Sequence, residues 1–315
     1  MMELRGNRAA RAAFEAAARG GQLHHAWLFA GAPGIGKASY AREAAHALLA
    51  RAAGNGSGDR TRSLIVAGSH PDFRVLERLP KDGKADGDLA RSITIAQVRA
   101  LQPLFATTPS LGPRRVVLID AVDDLERSGA NALLKNLEEP PAGTIFLLIS
   151  QAPGRLLPTI RSRCRLLRFE PLGRDDMLAA LGDALPEASD AEREALVRAG
   201  AGSPGRALRF AGLELGKIDA ALASIARGGD RGNGERVRLM RALSLKAAQP
   251  RYEAFLDRVP TFLAEQAPYR AGEALRTALD AYQDARDIAA SARALSLDPG
   301  GTVFELAGVV ARLAR

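Results

Sequence analysis

The chain has 315 residues, enough for two or three domains, and its 47% hydrophobic and 25% charged content is that of an ordinary globular protein. A single cysteine, Cys164, excludes an internal disulfide framework and any zinc site built on two or more thiolates. The net charge of +8 arises from 44 Lys and Arg against 36 Asp and Glu, and it suits a nucleic-acid partner as well as a plainly basic surface. Only six of those 44 are Lys, so 38 are Arg, a bias that genome base composition can also produce. No stretch approaches the roughly 18–20 uninterrupted apolar residues of a membrane span. Residues 1–19 carry Glu3 and Glu15 among arginines and read as an amphipathic helix rather than a signal peptide. The expectation is a soluble, reduced, cytoplasmic protein with no membrane contact.

In chain order, residues 8–19 read as an Ala-rich helix and 25–30 as a short strand closing on a Gly-rich turn. Residues 37–53 have no Pro or Gly and read as a helix. Residues 54–62 read as a polar loop, 73–77 as a strand, and 80–88 as a charged, mobile segment. A helix is predicted over 94–105 with Thr94 at its cap, then a buried strand over 116–120. A helix over 126–138 stops at Pro140 and Pro141. Strands follow over 144–150 and 166–169. This alternation implies an α/β domain with a mostly parallel, five-stranded sheet and helices on both faces. Beyond Pro171 everything reads as helix: 174–184, 190–199, 204–213, then longer ones from 216 onward. No internal repeat or low-complexity tract is present.

Residues 31–38, GAPGIGKA, lie between a strand and a helix and fit the GxxxxGK spacing of a P-loop. Gly31, Gly34 and Gly36 let backbone N–H groups face a phosphate, and Lys37 adds a point charge. The next position calls for the Ser or Thr that holds magnesium. Here it is Ala38, and Ser39 comes one residue late, about 100° around the helix. Asp120 ends a buried strand where a Walker B carboxylate belongs, yet Ala121 replaces the second acid that would polarise water. Asp123 and Asp124 read as acidic residues opening the next helix. Two separate parts of a hydrolytic site are therefore missing.

Residues 23–31 (LHHAWLFAG), 131–141 (NALLKNLEEPP) and 156–164 (LLPTIRSRC) resemble the clamp-loader branch of AAA+ proteins, and the Ser162-Arg163-Cys164 triplet is a signature of that branch. Residues 202–206 (GSPGR) resemble its small helical lid. The resemblance covers residues 23–206. It implies a P-loop AAA+ domain over 1–169, a lid over 170–213 and an all-α collar over 214–315. It also implies membership of a five-subunit ring that opens a sliding clamp and closes it around primed DNA, driven by ATP. In that setting Arg163 serves as a trans arginine finger for a neighbouring subunit's ATP site, a role suited to a planar, permanently charged guanidinium. Ser150 stands at the first nucleotide sensor and Arg206 at the second. The implied partners are gamma/tau-type and delta-type subunits, the clamp indirectly, and primed DNA through the complex.

With Ala38 and Ala121 in place, the expectation is a non-hydrolysing subunit that requires no cofactor and binds ATP or ADP weakly at most. The alternatives are a gamma-type ATPase, with Ser39 supplying the missing hydroxyl, and an AAA+ protein working outside replication. Many relatives hold zinc through four cysteines inserted before the second strand. Residues 62–72 (RSLIVAGSHPD) contain none, so His70 is read as structural, no zinc is expected, and 54–62 is read as a flexible remnant. Aromatic residues are 5% of the chain, which leaves no evident stacking platform for single-stranded DNA. Any DNA contact is expected to be electrostatic and independent of sequence.

Overall fold

The computed structural model describes residues 4–21, 23–54, 56–81 and 88–314. The chain divides into two compact units, residues 1–180 and 181–315.

The first unit is built on five strands: β1 (Ala26–Ala30), β2 (Phe73–Glu77), β3 (Arg115–Asp120), β4 (Thr144–Ser150) and β5 (Arg165–Arg168). They pair in the order β2-β3-β4-β1-β5, every pair parallel. The sequences AWLFA and TIFLLIS are buried along their whole length. Such unbroken apolar runs belong to strands covered on both faces. The outer strands differ. β2 mixes exposed and buried positions, and β5 places Arg165 and Arg168 at its two exposed ends, which discourages further strand pairing. The register sets Ala30 beside Ser150 and Arg168, and Asp120 beside Ile149. The carboxyl ends of β1, β3, β4 and β5 therefore share one edge, where ligands of open α/β sheets bind.

Helices cover both faces. α1 (Arg8–Arg19) inserts Phe14 edge-on against Trp27 (4.9 Å) and Phe29 (5.5 Å). α2 (Lys37–Ala53) buries Tyr40, Ala41, Ala44, Ala45, Leu48 and Leu49, and it ends at Gly54 with φ +96°. The expected loop over 54–62 instead enters a helix, α3 (Gly58–Val66). Asp59 lies in its first turn, buried Thr61 anchors it, and the His46 ring bonds the Gly58 carbonyl at 3.0 Å. The Ser57 hydroxyl shares its one proton between the Ala50 and Gly54 carbonyls, at 2.9 and 2.7 Å, and fixes the turn before it. The charged segment expected to be mobile over 80–88 falls largely on residues 82–87, outside the described residues.

The helix expected over 94–105 is two short pieces, α4 (Ile95–Arg99) and α5 (Gln102–Phe105). Thr94 caps α4 as expected, in a reciprocal capping box with Gln97. The break comes from Pro103, which has no N–H to give to the Arg99 carbonyl. α6 (Arg127–Glu138) turns Ala130, Leu133 and Leu137 onto the sheet, where they meet Leu28, Phe146 and Leu148. Burying Leu133 completely contributes about 2 kcal/mol. α7 (Pro158–Arg161) is a single turn before β5. α8 (Arg174–Ala184) follows β5 and begins in this unit.

The second unit has no strand among its described residues. It comprises α9 (Asp190–Gly200), α10 (Pro204–Leu208), α11 (Leu215–Gly228), α12 (Gly234–Leu243), α13 (Gln249–Gln266), α14 (Gly272–Leu295) and α15 (Pro299–Ala311). α14 buries only alanines, Ala278, Ala281, Ala285, Ala289 and Ala292, so its neighbours can approach closely. Leu222, Phe255, Leu263, Val303 and Leu306 complete the core. Arg258, 2% exposed, sits between Asp219 (2.6 Å) and Glu265 (2.8 Å), which neutralise it inside the helices.

Candidate functional site

β1 runs straight into the glycine turn. A Cβ on Gly31 would stand 2.3 Å from the Phe169 carbonyl oxygen, so only glycine fits. Gly34 and Gly36 have φ of +76° and +96°, conformations that other residues adopt at a cost. Lys37 opens α2 and is 4% exposed. Its ammonium donates to the Gly31 carbonyl at 2.7 Å and the Ala32 carbonyl at 2.6 Å. Burial lowers its pKa, against the opposing pull of Asp120 and Asp123. Two of its three N–H groups are thus spent on its own loop. Ala38 is half-buried and offers no hydroxyl, while Ser39 is exposed.

Asp120 is half-buried at the end of β3. Burial holds its carboxyl above the usual range, and Glu77 and Asp124 push the same way. Arg42 and Lys37 oppose them. Ala121 beside it is buried.

Asp123 corrects the expectation that it opens the next helix. It lies in a 3₁₀ turn, and its carboxylate binds the end of β4. It accepts from the Ser150 hydroxyl (2.9 Å), the Gln151 amide (2.8 Å) and the Ala152 amide (3.1 Å). Ser150 is fully buried, and its hydroxyl proton is committed to Asp123. Sequence reading missed this residue because a carboxylate just past a strand end resembles a helix cap.

Arg163 lies between α7 and β5. One terminal nitrogen meets Glu138 at 2.7 Å, the other donates to the Thr159 carbonyl at 2.9 Å, and 33% of the side chain remains exposed. Its neighbours serve other ends. Arg161 donates to the Pro153 carbonyl at 3.4 Å, and Arg165 lies over the Trp27 ring at 5.1 Å. The arginines here are not one uniform solvated run. Cys164 packs against the core, and burial pushes its thiol up to about 12.

Arg206 lies in the second unit, on α10, whose first turn is capped by Ser203. Its guanidinium donates to the Thr261 hydroxyl at 3.0 Å and the Asp257 carbonyl at 3.5 Å. His70 is buried, and its Nδ1 accepts from the Asp72 amide at 3.1 Å. Burial lowers its pKa. Asp72 in turn accepts from the Ser110 and Leu111 amides, both at 2.8 Å. Among the described residues no group of three or more His, Cys, Asp or Glu side chains is placed to hold a metal ion. No helix there is long and apolar enough to cross a membrane.

The family model for the DNA polymerase III delta subunit matches residues 6–173, more than half of the chain. The chain belongs to this family. It is 40% identical to DNA polymerase III subunit delta' of Pseudomonas aeruginosa over 194 residues, 61% of this chain and 57% of that one. To subunit delta' of Escherichia coli it is 37% identical over 191 residues, 60% of this chain and 54% of that one. Subunit tau of Salmonella typhimurium is 36% identical over 152 residues, 48% of this chain and 22% of that one. The chain thus spans little more than half the length of the delta' relatives it matches. The clamp-loader resemblance carried by residues 23–31, 131–141 and 156–164 agrees with these relatives.

Proposed function

We propose that this chain is a non-hydrolysing delta-prime subunit of a DNA polymerase III clamp loader. It helps load the sliding clamp onto primed DNA and supplies Arg163 to the ATP site of a neighbouring gamma- or tau-type subunit. The observation that carries this reading is the pairing of an incomplete nucleotide site with a partly exposed guanidinium from the Ser-Arg-Cys triplet. Ala38 lacks the hydroxyl that magnesium needs, and Ala121 lacks the second acid. The residues present therefore fit a magnesium–nucleotide complex poorly, and no step of the function is assigned to this chain's own loop.

In this reading residues 1–169 form the AAA+ domain, 170–213 the lid and 214–315 the collar that joins the ring. The partners are gamma/tau-type and delta-type subunits, with the clamp and primed DNA reached through the complex, in the cytoplasm. The chain needs no zinc. Gly31, Gly34, Gly36, Lys37, Asp120 and Ser150 remain as the frame of a degenerate nucleotide site. Arg206, on α10, stands at the position of the family's second nucleotide sensor.

The test is Arg163→Ala in a complex reconstituted with gamma/tau-type and delta-type subunits, clamp and primed DNA. ATP hydrolysis at the neighbouring site should fall by about 10³-fold or more while assembly stays intact. Unchanged hydrolysis would refute the trans role. ATP hydrolysis by the isolated chain, abolished by Lys37→Ala, would refute the non-hydrolysing assignment.

A further inference from the structure

We propose that Glu138 is the positioning residue for Arg163. The inference rests on the proposed trans role of Arg163 and adds a second group to it.

Glu138 is the last residue of α6, and Glu139 follows it. A carboxylate at a helix C-terminus faces the negative end of the macrodipole, so the local structure gives it no support there. Its compensation comes from another part of the chain. Glu138 Oε1 lies 2.7 Å from a terminal nitrogen of Arg163, the short range of a charge-assisted bond.

Both partners stand on rigid supports. On the α6 side, Leu137 is buried, and its carbonyl bonds the His25 ring at 3.0 Å, which ties the helix end to the start of β1. On the other side, the Arg163 amide donates to the Ile160 carbonyl at 3.2 Å, and Ile160 is buried against the sheet. The Thr159 carbonyl takes the second terminal nitrogen at 2.9 Å. These two bonds fix the plane of the guanidinium. A guanidinium has five N–H donors, so three remain for an anion approaching its exposed third. A long arginine left free would have to lose its rotamer freedom when a neighbour's phosphate arrives; Glu138 has already removed much of it.

The experiment places Glu138→Ala, Glu138→Gln, Glu138→Asp and Arg163→Ala in the full chain, each reconstituted with gamma/tau-type and delta-type subunits, clamp and primed DNA. ATP hydrolysis is followed against ATP concentration, and assembly by gel filtration. Glu138→Ala should lower kcat about three- to tenfold with KM for ATP within about twofold. Glu138→Gln, which still accepts one N–H and keeps the shape, should recover part of the loss. Glu138→Ala added to Arg163→Ala should cost nothing further. An unchanged or raised kcat in Glu138→Ala, with Arg163→Ala impaired, would overturn the positioning role and leave the trans role standing. An unchanged kcat in Arg163→Ala would overturn both. If Glu138→Ala fails to assemble, Glu138→Gln against Glu138→Asp decides: kcat must fall in at least one of them with assembly normal, and equal wild-type rates in both would overturn the proposal.

Discussion

Asp123 holds the end of β4 through three bonds, and replacing it with alanine removes all of them at once. The Ser150 hydroxyl is fully buried and would be left without its acceptor, which costs about 1.5–3 kcal/mol for a bond to a charged partner. The Gln151 and Ala152 amides are nearer the surface, where water replaces a lost acceptor, so each adds about 0.5 kcal/mol. Asp123→Ala should therefore destabilise the first unit by about 3 kcal/mol, or about 6–12 °C in midpoint for a unit of this size. Asp123→Asn keeps one acceptor oxygen and should lose about half as much. The chain's only tryptophan, Trp27, is buried in β1, so its fluorescence reports unfolding of this unit alone. A midpoint shift below about 2 °C in Asp123→Ala would show that the three bonds do not secure the strand end.

Three further outcomes follow from the described geometry. Burial keeps the Asp120 carboxyl above its ordinary range, so the folded chain holds that proton more tightly than the unfolded chain. Its stabilising contribution is present in acid and lost as pH rises through the folded value. Asp120→Asn should raise the urea midpoint of the first unit at pH 7 and lose that advantage below about pH 4; equal midpoints at pH 7 would contradict this. In the second unit, Asp219→Ala strips Arg258 of one of two carboxylates and should cost about 2–4 kcal/mol, read from helix melting by circular dichroism. A thiol-specific reagent at pH 8 should modify Cys164 at least about tenfold more slowly in the native chain than in denaturant, because burial raises the thiol to about 12.

The strands were legible because parallel strands covered on both faces leave continuous apolar runs, as at 144–150. The P-loop was legible because glycines and a lysine at fixed spacing have few other uses. α3 was not, since it is short, begins at Gly58 and gains its support from α2 rather than from its own pattern. The break at Pro103 could have been read locally, yet helical periodicity on both sides concealed it. Asp123 and Glu138 were out of reach for a different reason. Each acts on a residue more than twenty positions away, Ser150 and Arg163, and only the sheet brings them together.

The phosphate loop answers to two masters. The missing side chain of Gly31 makes room for the Phe169 carbonyl, which is a matter of how the turn seats on the sheet. The residue that would grip magnesium is seven positions on, at Ala38. Scaffold and chemistry in this loop are therefore separable. The first can outlast the second, because a side chain at Gly31 would collide with the scaffold, whereas alanine at position 38 removes a ligand for magnesium. A glycine-rich loop kept in outline is thus a record of architecture, and whether it turns over nucleotide has to be read from the residues that would hold the metal and the water.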